Sequence, residues 1–276
     1  MIANNKQNIF TSKSNVLKFL QNQIKNSKIE KLYVFQIEDW DKNKNKILKE
    51  INQYFINSNK VIVRSSAIGE DSLESSKAGS YESILDVNPK LNKALINAIN
   101  LVLNSYEKKL NYNKKNQILI QNQSLKIIQS GVIFTRLRNG SPYYIINFED
   151  GSSTIGVTQG KVSNLIKIFR KTDFKKIPKK WKKLLKSIQE IEKITSNTYL
   201  DIEFGITNLN EIIIFQVRPL ISENNSNLDN KIEKELKKIQ IKYKNYTQNN
   251  SKKKIIFSDM ADWNPSEIIG SNPNIL

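Results

Sequence analysis

Arg64 stands where a β-branched run, Val61-Ile62-Val63, gives out, and its guanidinium is a permanent forked donor that fits an anion. Ser65 and Ser66 follow it. After a short acidic loop comes Lys77-Ala78-Gly79-Ser80, whose small side chains let backbone N–H groups come close to phosphate oxygens. A second group lies in residues 199–220, YLDIEFGITNLNEIIIFQVRPL, where a turn at 208–210 joins two apolar runs into a β-hairpin. Alternation puts Asp201 and Glu203 on one face of the first strand, and Gln216 and Arg218 on one face of the second. Such a face suits a hard divalent cation, because Mg²⁺ at a nucleotide takes one or two carboxylates plus phosphate oxygens. Each group also has a plainer reading: a Ser-rich surface loop beside an exposed arginine, and four solvated side chains across a hairpin.

The elements that must position these residues are legible as periodicities. Residues 12–23 read as a helix with Val16, Leu17 and Leu20 inward, N-capped by Ser12 or Ser14, with Lys13 at its start. Residues 31–37 read as a strand. A Lys-rich helix over 41–56 turns Ile47, Leu48, Ile51, Tyr54 and Phe55 inward. Beyond the Arg64 loop, 83–87 is a strand and 92–110 a helix striped by Leu95, Ile99, Val102, Leu103 and Tyr106. Strands follow at 117–123, which ends in amides including Gln121, and at 131–136, 143–148 and 162–169, with a turn at 149–154. A helix over 179–194 carries Trp181, Leu184, Leu185, Ile188, Ile191 and Ile194 on one side. A polar segment, 222–251, holds a further amphipathic helix at 232–243. The expected class is α/β (α+β), mixed or antiparallel sheets with flanking helices.

Composition removes several chemistries. The 276 residues include neither cysteine nor histidine, so disulfides, thiol catalysis, Cys-ligated metal, an imidazole base and a phosphohistidine are all excluded from this chain. The net charge of +18 invites a nucleic-acid reading, but the lysines are spread over 42–49, 175–186 and 231–254, as solvated helix faces are. Nucleic acid is therefore the weakest of the partners considered. No apolar run approaches the roughly eighteen residues of a membrane span, and the N-terminus has no apolar signal core, so a cytoplasmic location is expected.

The string VIVRSSAIGED, with the AGSYE that follows it, resembles the phosphate-contacting region of the nucleotide-binding domain of phosphoenolpyruvate synthase and pyruvate phosphate dikinase. TSKSNVLKFL resembles that family's GGKxxxLxxL segment with the glycines absent, GVIFTR resembles a recurrent strand, and DIEFGITNLNEIIIFQVRPL resembles its DIEWxIxxxxLYxLQARPI signature. The resemblance implies an ATP-grasp-like fold of two subdomains, 1–115 and 116–220, followed by a linker over 221–254. It implies ATP and Mg²⁺ as cofactors, with Lys13, Arg64 and Arg218 on the phosphates and backbone N–H groups of Ala78, Gly79 and Ser80 beside them. Gln121 falls near the base, Asp201 near ribose or metal, Glu203 on the metal, and Gln216 within the site. Residues 255–276 resemble the MSDWNPAEIIG segment that opens a further domain in proteins similar to the glutamine kinase of capsule biosynthesis. The implied activity is transfer of a phosphoryl group from ATP to a carrier histidine, and from there to pyruvate or to an amide such as glutamine. That histidine must come from another chain or from a part absent here. The other reading kept open is a noncatalytic ATP-binding or interaction module, or a truncated remnant.

Overall fold

The structure is a computed structural model that describes residues 9–69, 71–72, 75–76, 82–108, 113–136, 140, 142–151, 164–220 and 228–249. Ala78, Gly79, Ser80 and the segment 255–276 lie outside the described residues. The chain divides into two units, Met1–Asp229 and Asn230–Leu276.

In the first unit, β1 (Leu32–Gln36), β2 (Val61–Ser66), β5 (Ser83–Val87) and β6 (Gln117–Asn122) form one sheet in the order β1-β6-β2-β5, every neighbour antiparallel. The two-residue strands β3 (Asp71–Ser72) and β4 (Ser75–Ser76) pair with each other. Alternation sends Phe35, Val61, Val63, Ile118 and Ile120 into a core with α2 (Ile37–Tyr54) and α3 (Asn92–Glu107). Leu32 and Leu119 point the other way, into a second core.

Helix α2 starts earlier than its apolar pattern implies. The Gln36 side chain and the Asp39 carboxylate form a reciprocal capping box, so β1 passes straight into the helix, and a kink at Asn43 absorbs the change of direction. The early turn buries Trp40 against Phe35, with ring centroids 5.6 Å apart. Tyr54, expected inward, is 38% exposed: at the end of the helix its ring lies under the Lys31 ammonium, 4.0 Å from the centroid.

The second sheet runs β11-β10-β7-β8-β9 and is again antiparallel: β7 (Ile127–Phe134), β8 (Tyr143–Asp150), β9 (Asn164–Phe169), β10 (Leu200–Thr207) and β11 (Ile212–Pro219). Ile133, Ile146, Phe148, Ile202, Phe204 and Ile214 share a core with Val16, Leu17 and Leu20 of α1 (Lys13–Gln21) and Trp181, Leu184, Leu185 and Ile188 of α4 (Lys179–Thr195). Burying each such side chain contributes about 1.5–3 kcal/mol. The glycine of GVIFTR has a packing reason of its own, since a Cβ on Gly131 would lie 2.2 Å from the Asn147 carbonyl oxygen of β8.

Behind this sheet sits a charge pair that the sequence did not announce. Arg170 donates from Nη1 to Glu192 Oε1 at 2.7 Å and from Nη2 to Oε2 at 3.1 Å, and also reaches the Thr135 carbonyl at 2.8 Å. The Tyr144 hydroxyl donates to Glu192 Oε2 at 2.9 Å. Burial, and then the adjacent Glu192 charge, push the Tyr144 hydroxyl well above the usual phenol range.

Helix α5 (Leu228–Asn249) is polar on most of its surface, with the ion pairs Glu233–Lys237 at 2.9 Å and Glu235–Lys238 at 2.7 Å along it. No described helix is long and apolar enough to cross a membrane.

Candidate nucleotide site

Strand β11 is the outer strand of its sheet, so its outward carbonyls and N–H groups need partners. Lys28 supplies some: its N–H donates to Ile212 O at 2.8 Å, and its carbonyl accepts from Ile214 N–H at 2.9 Å. Arg64 supplies another. From β2 its Nη1 donates to Phe215 O at 3.0 Å and its Nη2 to Gln216 Oε1 at 3.3 Å, across 152 residues of sequence for the second bond.

The hairpin register explains why the right side chains wait there. Asp201 pairs with Arg218, and Glu203 with Gln216, so all four fall on the face turned away from the Ile202–Phe204 core. Arg218 Nη2 lies 3.1 Å from Glu203 Oε1 and 3.3 Å from Asp201 Oδ2, while Arg64 Nη2 lies 3.8 Å from Glu203 Oε2. The four charged side chains are only 10 to 16% exposed, which makes their mutual attraction far stronger than that of a surface pair. Four residues expected from two separate signatures thus stand in one cluster with Gln216.

A bulge sets the local geometry. Register slips between Glu203 and Phe204, leaving Phe215 as the extra residue on β11. Its ring lies over Gly205, where a Cβ would come within 2.6 Å of Phe215 Cζ and 3.0 Å of Ile127 Cδ1. Gly205→Ala is therefore expected to push the Phe215 ring aside, with a loss of about 1–3 kcal/mol in denaturant unfolding, and to disturb the carbonyl that receives Arg64. A loss within about 0.5 kcal/mol would mean that the bulge relaxes without strain.

The start of α1 is fastened beside Arg64 by hydroxyls. The Ser14 N–H donates to Ser66 Oγ at 3.0 Å, and the Ser12 and Ser14 hydroxyls both donate to Gln117 Oε1, at 2.8 and 2.6 Å. Tyr106 OH accepts from the Ser66 N–H at 2.7 Å and donates to Gln117 O at 2.8 Å. Ser12 also caps the helix by accepting from Asn15 N–H, and Lys13, the first helical residue, is buried. Sequence reading placed Lys13 at the helix start but missed this net; serines flanking a lysine on both sides, with RSSA downstream, were its only signal.

Gln121 lies on the same face of the first sheet as Arg64, since its cross-strand partner Ile62 precedes Arg64 by two residues, or about 7 Å. It is 2% exposed, and its Nε2 has no partner among the described residues, leaving a buried donor.

The donor set also bears on the metal. Among the described residues no group of three or more His, Cys, Asp or Glu comes together. Two carboxylates and an amide oxygen are too few to enclose a bare cation, but they suit Mg²⁺, which keeps waters and phosphate oxygens in its shell. The residues present fit that ion. A separate cavity of about 310 Å³ lies near the start of β1 and β2. Its lysines already have partners, Lys28 the Glu30 carboxylate of the same wall at 3.2 Å, Lys31 the Tyr54 carbonyl and ring, and Lys60 Asp86 at 2.5 Å, and it contains none of the clustered residues.

Residues 23–173, more than half of the chain, match the pyruvate phosphate dikinase AMP/ATP-binding domain. The chain belongs to this family. It carries an ATP-binding domain of the dikinase type, and the matched span contains Arg64 and Gln121 but ends before the Asp201–Arg218 hairpin. No curated protein matches it significantly. Among solved structures, D-alanyl-alanine synthetase A from Vibrio cholerae is 11% identical over 77% of this chain and 55% of that one, with a TM-score of 0.45. D-alanine-D-alanine ligase from Helicobacter pylori is 14% identical over 76% and 51%, also at 0.45. The chain spans about half the length of these structures.

Proposed function

We propose that this domain binds ATP with Mg²⁺ at the Arg64–Glu203 cluster and carries out the ATP half-reaction of a dikinase-like phosphotransfer. What supports the reading is that Arg64 of one signature and Asp201, Glu203, Gln216 and Arg218 of the other meet in a single partly buried cluster.

In this reading Arg64, Arg218 and Lys13 neutralise charge that builds on the transferring phosphate, together with backbone N–H groups of Ala78, Gly79 and Ser80. Gln121 offers its buried Nε2–H to an acceptor on the base. Glu203 and Asp201 hold the metal, with Gln216 beside them. A Mg²⁺ held there would supply positive charge against the phosphates. This is electrostatic positioning, and it needs neither imidazole nor thiol.

The phosphoryl group must leave on a histidine carried elsewhere, because this chain has none. The final acceptor is pyruvate by the broad family, or an amide such as glutamine by the resemblance of residues 255–276. The subdomain boundaries near 115 and 220, and a further domain opening near 255, belong to the same proposal. The lack of histidine also favours a second reading, an ATP-binding module that regulates or recruits rather than transfers.

Calorimetric titration of ATP with and without Mg²⁺, into the wild type and Glu203→Gln, tests the proposal. The expected result is metal-dependent binding by the wild type. In Glu203→Gln the metal should add little, while metal-free ATP binds at least as well as before, since one negative charge has gone. A folded wild type that binds no ATP overturns the assignment.

A further inference from the structure

Most of the oxygens a divalent cation would use already face guanidinium groups. Arg218 Nη2 holds Glu203 Oε1 at 3.1 Å and Asp201 Oδ2 at 3.3 Å. Arg64 Nη2 lies 3.8 Å from Glu203 Oε2 and donates to Gln216 Oε1 at 3.3 Å. Both oxygens of Glu203, one of Asp201 and the amide oxygen of Gln216 therefore face guanidinium groups.

We propose that Arg64 and Arg218 act as resident counter-cations which keep a divalent metal out of the Asp201–Glu203 pair until a polyphosphate draws them away. The inference rests on the nucleotide reading given above. A cation arriving alone would have to displace two guanidinium groups, which leave solvent-poor carboxylates only for a better anion, and it would then sit close to two like charges. A triphosphate supplies that anion. Arginine matches phosphate with the same two-pronged geometry it uses on a carboxylate, so the guanidiniums can exchange one partner for the other without being left unpaired. Once they turn to phosphate, Glu203 and Asp201 are free to take the metal.

Two consequences follow. The cation and the nucleotide bind as a coupled pair, each tightening the other by the same factor. The cluster also stays neutral between uses, with two arginines against two carboxylates. A partly buried catalytic charge set is thereby kept stable in the absence of ligand.

The test measures Mn²⁺ bound to protein alone, from the loss of the free-ion electron paramagnetic resonance signal, in the wild type, Arg218→Gln and Arg218→Gln/Glu203→Gln. The wild type should take up no Mn²⁺ specifically at millimolar concentrations. Arg218→Gln should gain a site at least tenfold tighter, and that site should vanish in the double variant. If Arg218→Gln does not fold, Arg64→Met frees Glu203 Oε2 and Gln216 Oε1 and is read in the same way.

Tight Mn²⁺ binding by the wild type that Glu203→Gln abolishes would overturn the proposal, as would folded single variants without any gain. ATP titration of the same samples separates the two readings. A site gained in Arg218→Gln beside a wild type that ignores ATP supports the blocked carboxylate pair and removes the nucleotide assignment. Mg·ATP binding with free uptake of Mn²⁺ alone does the reverse.

Discussion

Glu192→Ala is expected to destabilise the 1–229 unit by about 3–5 kcal/mol, a larger loss than Arg64→Ala at the Arg64–Glu203 cluster should cause. The size comes from what the change leaves behind. The Arg170 and Glu192 side chains are 12 and 7% exposed, and the pair is bidentate, so the carboxylate compensates a guanidinium that has little access to water. Its removal leaves the Arg170 guanidinium with the Thr135 carbonyl as its hydrogen-bond acceptor among the described residues and deprives the Tyr144 hydroxyl of its acceptor as well. The Arg170 guanidinium also stacks 4.4 Å from the Tyr144 ring, which couples helix α4 to the middle of the second sheet through β8. For a unit of this size the loss corresponds to a fall in Tm of roughly 6–20 °C. Thermal and urea unfolding of Glu192→Ala, Arg170→Met and Glu192→Met/Arg170→Met would check it. The double variant should recover most of the loss, because both charges are then gone and the space remains filled. A single variant within about 1 kcal/mol of wild type would show that water reaches Arg170 and screens it.

Sequence periodicity located nearly every strand and helix because most elements carry one apolar side at a regular spacing. The hairpin itself and the shared face of Asp201 and Glu203 came out of alternation, since β10 and β11 are joined by a short turn; the register, which slips between Glu203 and Phe204, did not. Sheet membership was different. Strand β6 is followed within a few residues by β7, yet it lies between β1 and β2, pairing Ile120 with Tyr33 on one side and Val63 on the other. Nothing local in QILIQN encodes that, because the partners are about 55 to 90 residues away and are selected by matching buried faces.

The same limit governs the site. Residue types and spacing named Arg64, Asp201, Glu203, Gln216 and Arg218, but not that Arg64 crosses to the open edge of β11, which depends on how the first sheet meets the second strand by strand. The bulge that frees the Phe215 carbonyl is equally silent in the string FQVR. Gly205 was its one visible trace, and a glycine within a strand points to a bulge or a close approach without saying which.

Arg64→Ala should lower affinity for Mg·ATP by roughly 10- to 100-fold, the worth of about 1.5–3 kcal/mol for a charge-assisted hydrogen bond to phosphate in a poorly solvated site. The same substitution should cost the free domain only about 1–2 kcal/mol of stability. Glu203 keeps Arg218 at 3.1 Å, and what is lost is the donors on Phe215 O and Gln216 Oε1 together with the longer ion pair to Glu203 Oε2 at 3.8 Å. That difference between binding and stability separates the two possible jobs of this residue. If Arg64 were simply a rivet between the sheets, affinity would fall only as far as the fold loosens, and Arg64→Gln, which can still donate to a carbonyl, would restore both. If it grips phosphate, Arg64→Gln would recover stability and not affinity, while Arg64→Lys would recover part of the affinity through charge without the forked geometry. Calorimetric titration of the three variants, each matched with its own unfolding curve, decides between them. Unchanged affinity in a stably folded Arg64→Ala protein would remove Arg64 from the phosphate site and leave it as the bond that closes the edge of β11.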